Sequence, residues 1–497
     1  MQKKIFVTVI ALFLGIAPRT LNAQKKQEVN LNLTLEQSIE LARKQSIASF
    51  RYKNMYLAKY WEFRSYKADR LPGLKLSASP FTYNQSYEFD QSLKKYVPDQ
   101  SLTSTGNLSL SQNLAFSGGS VSIVSSLQRY NNLENDDLYF RSQPLSIVLS
   151  QPINGYNTFR WDARIEPLKF EVAKREFVQS VEDVAISANQ YFFNTVSAEI
   201  NLKIAETNYH NADTLFRIAK GRFEIGTVTQ DELLDFELSF LNAKIDQTKA
   251  NLSLRQARSS LNSFLGLDDH ILVTCIIPYN IPQIKIDLDN ALELSLENNP
   301  NIIEYEQQLL EAKRSVASAR ATSGLDASVR ANLGLNKTAG NFNDSYRDPF
   351  DDNRSIGISL SVPILDWGSR HGKIQMAKSN KEVTEAAIRQ SRIDFEQNVF
   401  QQVMEFNLQD EQVEIAAKAD TIAQMGYDVT KQRFMIDKVD VIKLNSARNS
   451  LDAAKRNYVD ALKRYWTYYY TIRKLTLFDF EKKEPLMQSF DKLIEQP

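Results

Sequence analysis

Two uninterrupted stretches, residues 161–222 and 372–433, constrain the fold more than any other feature of the sequence. The first contains one proline, Pro167 near its start, and one glycine, Gly221 near its end; the second has no proline and a single interior glycine, Gly426. Proline and glycine are the residues that most disfavour helix interiors. Each stretch is therefore predicted to be one continuous helix, roughly 90 Å long at about 1.5 Å per residue.

The same order of features occurs twice along the chain. Leu-Ser-Gln-Pro-Ile at 149–153 returns as Leu-Ser-Val-Pro-Ile at 360–364, and Arg222-Phe223 returns as Arg433-Phe434, both 211 positions later. This equal spacing predicts an internal duplication in which the first copy carries about 40 extra residues before its proline.

Apolar and polar residues alternate in the segment before each proline. In the second copy, two such segments form a predicted hairpin at 325–364. In the first copy, four segments lie between Leu74 and Leu149. The first copy is therefore predicted to contain one extra hairpin, at about 102–130. Alternation with period two, over nine to eleven residues, is typical of strands that face lipid on one side. A soluble, half-buried hairpin would show the same pattern, so one hairpin alone does not decide between them.

The N-terminal residues 1–23 have a basic start, an apolar run and a small residue, Ala23, at their end. This pattern predicts a cleaved export signal, with an N-terminal anchor helix as the alternative. No later stretch of 18 apolar residues follows, so any membrane crossing by the exported chain would need strands.

The composition argues against several classes of function. Sixty basic and 60 acidic residues give no net charge, which disfavours nucleic acid as a partner. One cysteine and three scattered histidines argue against a metal centre, and no phosphate loop or nucleophile elbow is found. We therefore expect no catalytic residues, no metal, no cofactor and no enzymatic activity.

Four strands per chain, or six if the extra hairpin joins the sheet, cannot close a barrel, because the smallest membrane barrels need about eight. Open sheet edges cannot lie in lipid, so several chains must share one barrel. The predicted fold is an α+β membrane protein made of two tandem repeats. Its transmembrane β-barrel, shared between chains, is continued by a long α-helical coiled-coil barrel.

The sequence resembles the TolC family of outer-membrane efflux proteins along residues 33–478. The resemblance is carried by the duplication, by the Pro-Ile motifs at 152–153 and 363–364 before each long helix, and by the aromatic-x-x-Gly-Thr turn at 223–227. It implies a homotrimer with a twelve-strand barrel in the outer membrane of a Gram-negative bacterium and a helical barrel in the periplasm. It also implies a periplasmic adaptor (membrane fusion) protein at the helical tip and an inner-membrane transporter behind that adaptor.

The resemblance divides the chain as follows: a signal peptide at 1–23; a first repeat at 24–280 with long helix 161–222, tip turn 225–230 and helix 231–265; a second repeat at 281–478 with long helix 372–433, tip turn 435–439 and helix 440–474; and a C-terminal tail at 479–497. The implied function is passive export in a tripartite efflux or type I secretion system. A structural coiled-coil or adhesion protein is the competing hypothesis. The cargo and the energy source of the pump, protons or ATP, stay open.

Three sets of site residues follow from the resemblance. The adaptor-docking tip comprises Ile225, Gly226, Thr227, Val228, Ile436, Asp437, Lys438 and Val439. The family's ring of gate carboxylates falls in this sequence on Lys443 and Ser446, which are not acidic. Nearby acids in the second copy, and the matching acids of the first copy, are the candidate substitutes. The candidate gate or lumen residues are therefore Glu232, Asp235, Asp437, Asp440 and Lys443. The strand–helix junctions are Pro152 and Pro363.

Overall fold

The computed structural model describes residues 29–91, 94–134, 136–153, 155–436 and 438–490. The predicted export signal and the end of the predicted tail, 491–497, lie outside them. The described residues form two compact units, one from 29–38 with 191–278 and one from 39–190 with 279–490. Within the described part of the chain, no helix is long and apolar enough to cross a membrane.

The strands and helices follow one another in this order: β1 Val29–Thr34, α1 Leu35–Gln45, α2 Ile47–Ala68, β2 Gly73–Asp90, β3 Lys95–Leu114, β4 Gly119–Asn132, β5 Asp137–Pro152, α3 Thr158–Glu224, α4 Gln230–Leu265, β6 Ile271–Ile276, α5 Leu288–Asn298, α6 Pro300–Thr322, β7 Asp326–Ala339, β8 Asp351–Ser361, α7 Ser369–Met435, α8 Val441–Thr476, β9 Phe478–Asp479 and β10 Glu484–Pro485. Helices α3 and α7 have 67 residues each, and α4 and α8 have 36 each. The two long helices extend the predicted ranges by two or three residues at each end. Pro167 is accommodated inside α3.

Helical periodicity in the sequence predicts two further continuous helices, at 35–70 and 289–322, but the structure breaks each of them into two. The hydroxyl of Ser46 accepts the N–H of Ser49 and starts α2, 22 residues long, after α1, which has 11. The side chain of Asn299 accepts the N–H of Asn301 and starts α6 at Pro300. Serine and asparagine are strong N-cap residues, and proline at the first helical position has no N–H to satisfy. These local contacts override helix periodicity.

In the first unit, β1 pairs in parallel with β6, with Leu33 opposite Cys275. Sequence patterns did not predict this pairing. Cys275 is buried, as expected, and burial, helped by the Glu199 carboxylate, raises the pKa of its thiol to about 12. Glu199 binds Arg258 at 2.9 Å.

All remaining long strands belong to one six-stranded antiparallel sheet in the second unit, in the order β2-β3-β4-β5-β7-β8. The additional hairpin of the first copy is therefore part of the same sheet as the other strands. Six strands per chain differ from the four that a twelve-strand trimeric barrel would use.

One face of this sheet carries a continuous apolar row. Consecutive cross-strand neighbours are Leu74, Leu110, Ile123, Ile147 and Leu333, one each on β2, β3, β4, β5 and β7. All five side chains are exposed.

The opposite face is built of small and polar residues. A neighbouring row there runs Lys75, Ser109, Val124, Ser146 and Gly334, so Val124 is its one large apolar member. An exposed apolar face backed by a polar face is the pattern of a sheet that meets lipid on one side and water on the other.

The predicted coiled-coil seam of α7 is buried. Val399, Val403, Phe406 and Val413 are 1–4% exposed. Phe406 packs against Tyr465 and Tyr469 of α8, with ring centroids 5.3 and 6.2 Å apart. The aromatic run of α8 therefore serves helix packing.

The start of the predicted C-terminal tail packs back on the second unit. Strands β9 and β10 pair with each other after α8. The ring of Phe490 then lies edge-on to Tyr56, with centroids 5.3 Å apart.

Candidate functional site

The first tip turn is a helix C-terminus closed by two backbone hydrogen bonds. The N–H of Thr227 donates to the carbonyl of Arg222, and the N–H of Gly226 donates to that of Phe223, each at 2.9 Å. This is the Schellman arrangement, which needs a left-handed residue after the helix. Gly226 has φ +76°, where a side chain would be strained. The Gly-Thr motif is therefore explained by the turn geometry itself.

Helix α4 begins immediately after this turn with a capping box. The Thr229 hydroxyl accepts the N–H of Glu232, and the Glu232 carboxylate accepts the N–H of Thr229 at 3.1 Å. The Thr229 hydroxyl and nearby backbone N–H groups also lower the pKa of Asp231. Reciprocal capping satisfies two backbone donors at the helix start.

The second tip turn repeats part of this geometry. The N–H of Lys438 donates to the carbonyl of Arg433 at 2.9 Å, the counterpart of the Thr227–Arg222 bond 211 positions earlier. Asp440 is the N-cap of α8, and its carboxylate accepts the N–H of Lys443 at 2.8 Å. Asp437 lies outside the described residues.

Apolar side chains are exposed at both tip turns. Ile225 is 74% exposed in the first and Ile436 is 62% exposed in the second, whereas Val228 and Val439 are half-buried at matching positions. Exposed aliphatic side chains at the end of a helical hairpin favour contact with another protein.

The candidate gate carboxylates are engaged in helix starts. Glu232 and Asp440 both bind backbone N–H groups of their own helices, while Asp235 and Lys443 are exposed. The Thr229-x-x-Glu232 spacing is itself the sequence signature of a capping box. Because a capping side chain is already hydrogen-bonded, Asp235 and Lys443 are the freer candidates for a lumen role.

The two strand–helix junctions differ. Pro152 is the last residue of β5, and the next N–H, that of Ile153, donates to the Ala327 carbonyl at 2.7 Å. Pro363 follows the end of β8, and the carboxylate of Asp366 then accepts the N–H groups of Gly368 and Arg370. These backbone bonds lower the pKa of Asp366. The first junction is thus part of the sheet, whereas the second is fixed at the helix start.

A buried charge cluster in the second unit was missed by sequence reasoning. Arg473 of α8 binds Glu182 of α3 at 3.0 Å and Asp479 of β9 at 2.7 Å, and Glu182 also binds Arg43 at 2.7 Å. Tyr469 donates its hydroxyl to Asp479. Charged residues such as Glu182 and Arg473 look like solvated helix positions in the sequence, and only the tertiary fold shows their partners.

Burial opposes the charge of Arg473, but Glu182, Tyr469 and Asp479 outweigh it and raise the arginine pKa. Burial likewise opposes the charge of Asp479, but Arg473, two backbone N–H groups and Tyr469 lower its pKa. The cluster ties α1, α3, α8 and β9 together.

Within the described residues, no cluster of three or more His, Cys, Asp or Glu side chains is arranged to hold a metal ion. In the connection between β7 and β8 and at the start of β8, two aspartates pair with nearby arginines. Asp344 contacts Arg347 at 3.5 Å, and Asp352 contacts Arg354 at 2.7 Å.

Residues 291–476 match the family model of outer membrane efflux proteins. Solved structures of similar fold include the CmeC outer membrane channel of Campylobacter jejuni (TM-score 0.68, 15% identity, 93% of this chain and 89% of that one). The fold is shared by the outer membrane protein VceC of Vibrio cholerae, with a TM-score of 0.61 and 13% identity over 89% of this chain and 95% of that one. It is also shared by the open state of the MtrE outer membrane channel of Neisseria gonorrhoeae, with a TM-score of 0.57 and 15% identity over 89% of this chain and 88% of that one.

At these identities the structural likeness establishes the fold, and the family model supplies the relationship over the second copy. Both agree with the resemblance found in the order of strands, Pro-Ile motifs and long helices. That resemblance is confirmed: residues 291–476 match the outer membrane efflux protein family, and the chain has the fold of outer membrane channels.

Proposed function

We propose that this protein is an outer-membrane channel that lets substrates pass from the periplasm to the exterior. The observation that carries the proposal is the apolar row Leu74–Leu110–Ile123–Ile147–Leu333. Five exposed apolar side chains in one row, backed by a polar face, match the surface of a lipid-embedded β-sheet. Strands of this type need closure, because an open edge in lipid leaves N–H and C=O groups without partners.

The helical hairpins α3–α4 and α7–α8 supply the periplasmic part of the proposed channel. Three copies form the channel in the outer membrane of a Gram-negative bacterium, and their helices project into the periplasm. The tip residues Ile225–Val228 and Ile436–Val439 bind a periplasmic adaptor protein, which links the channel to an inner-membrane transporter. Support for these partners comes from the family and from the exposed isoleucines at the turns.

The proposed role is passive and requires no catalytic residue. Energy comes from the inner-membrane transporter of a tripartite efflux or type I secretion system. The channel itself contributes a polar inner surface and a closable tip. Support for this division of labour is the polar sheet face.

Two neighbouring residues of β4 test the membrane assignment. Ile123→Lys places a charge on the apolar row, and Ser122→Lys places the same charge on the polar face. A lysine facing the middle of the bilayer costs about 2–4 kcal/mol, whereas lumen positions accept it. We expect outer-membrane fractions of expressing cells to lose the Ile123→Lys protein and to retain the Ser122→Lys protein. Equal recovery of both would contradict a lipid-facing sheet.

The proposed gate is tested by conductance in planar bilayers. Asp440→Asn removes the charge and keeps an N-cap, since asparagine caps as well as aspartate. Lys443→Gln is the matched change one turn along the same helix. If these groups hold the tip closed, either variant raises the open probability. Unchanged conductance in both would remove them from the gate.

A further inference from the structure

The edges of the six-stranded sheet define an interaction surface. Strands β2 and β8 lie at the two edges, each with one strand neighbour among the described residues. Strand β8 is exposed along nearly its whole length, and so are the described side chains of β2. In lipid, unpaired strand edges are not tolerated.

We propose that β8 of one copy pairs with β2 of the next, so that all six strands of each chain, including β2 and β3, form the wall of the shared barrel. The inference rests on the proposed channel function and extends it. Three copies then give 18 strands instead of twelve.

Strand direction supports this seam. Every neighbouring pair in the sheet is antiparallel, and six is an even number, so β2 and β8 run in opposite directions. A second copy placed by rotation about the barrel axis therefore presents β2 antiparallel to β8. Head-to-tail contacts of this kind close into rings.

Exposed apolar side chains flank both edges. On the β8 side, Ile364 and Trp367 are 96% and 90% exposed. On the β2 side, Leu71, two residues before the strand, is 66% exposed. Large apolar side chains with this exposure at two complementary edges favour burial against a second copy.

The additional hairpin is firmly held in the sheet. Strands β3 and β4 pair without a bulge from Ser101 opposite Asn132 to Leu114 opposite Gly119. Their turn is fixed to the start of α3, because Asn157 donates to the Ala115 carbonyl at 2.8 Å.

A second hydrogen bond holds the same turn, because the side-chain amide of Gln151 donates to the Ser117 carbonyl at 2.9 Å. A Cβ on Gly119 would lie 2.4 Å from the Gln151 amide oxygen, so this approach requires glycine. A four-strand seam, with β8 against β4 of the next copy, would have to break these contacts.

The strand number sets the width of the barrel. With strands about 4.8 Å apart and tilted by about 40°, 18 strands give a backbone diameter of roughly 36 Å, against roughly 24 Å for twelve. Barrels of 16–18 strands enclose an aqueous channel. The proposed barrel therefore has about the diameter of a porin barrel.

Disulfide trapping distinguishes the two seams. In a Cys275→Ala background, Ser359→Cys on β8 is combined with Gly73→Cys, Lys75→Cys or Ser77→Cys on β2, all on the polar face. The three β2 positions sample three successive registers of the seam on the polar face. The matched control combines Ser359→Cys with Ser120→Cys or Ser122→Cys on β4. Four strands separate β2 from β8 within one chain, and disulfides need Cα atoms within about 7 Å, so only neighbouring copies can be linked.

We expect at least one β2 combination, and no β4 combination, to give covalent trimers on non-reducing gels of outer-membrane fractions. Linkage through β4 would overturn the six-strand wall and leave the channel proposal intact. Linkage through neither strand would likewise count against the six-strand wall, and the comparison of Ile123→Lys with Ser122→Lys then decides separately whether the sheet faces lipid.

Discussion

Arg473 and Glu182, 291 positions apart in the sequence, form a buried ion pair with an Nε–Oε2 distance of 3.0 Å. Their side chains are 11% and 3% exposed. Because Glu182 also binds Arg43, removing its charge leaves two guanidinium groups with less compensation. The stability of the second unit is therefore expected to be sensitive to the loss of the Glu182 carboxylate.

We predict that Glu182→Gln lowers the free energy of unfolding by about 3–5 kcal/mol, as expected when one partner of a buried pair is removed. Denaturant unfolding of the detergent-solubilised protein measures this value. Glu396→Gln is the control, because Glu396 forms an exposed pair with Arg392 at 3.1 Å. Exposed pairs contribute about 0–1 kcal/mol. Similar losses in both variants would contradict the role given to the cluster.

Protonation of Asp479 should contribute to the loss of folding stability in acid. Its pKa is lowered in the folded protein, so its contribution is complete above the unfolded value of about 3.9 and is lost as the pH falls through the lowered folded value. Thermal unfolding measured from pH 6 down to pH 2 should show a shallower decline for Asp479→Asn than for the wild type below pH 4. Parallel curves would contradict this contribution.

Gly226→Ala should weaken the first tip. A left-handed conformation costs a residue with a side chain about 1–2 kcal/mol. Gly221→Ala is the matched control five residues earlier, inside α3 and with open space around its Cα. It should stabilise the helix by about 0.5–1 kcal/mol. Hydrogen exchange of the amides around residue 226 reports both effects, and equal exchange rates in the two variants would argue against the Schellman turn.

Cys275 should resist alkylation in the folded protein. Burial raises the pKa of its thiol to about 12, so at pH 8.5 almost no thiolate is present. Iodoacetamide followed by mass analysis should show labelling only after denaturation. Rapid labelling of the native protein would show that the β1–β6 region opens readily.

Much of the fold could be predicted because its elements are long and marked by single residues. Alternation located the six strands, and the rarity of proline and glycine located α3 and α7 within three residues at each end. The breaks at Ser46 and Asn299 were missed because one side-chain hydrogen bond decides each of them.

The site was less predictable than the fold. Glu232 and Asp440 were interpreted as lumen charges, although residues in their positions also cap helices, and the structure shows capping. The pairing of β1 with β6 and of Glu182 with Arg473 depends on residues far apart in the sequence. No local pattern encodes such partners.

The even strand count has a consequence for stoichiometry. Because β2 and β8 run in opposite directions, the sheet can close antiparallel with two, three or four copies alike. The hydrogen bonds between edge strands therefore do not determine the number of subunits in the barrel. In the proposed barrel the number of copies, and with it the diameter of the wall, therefore depends on contacts other than the strand pairing.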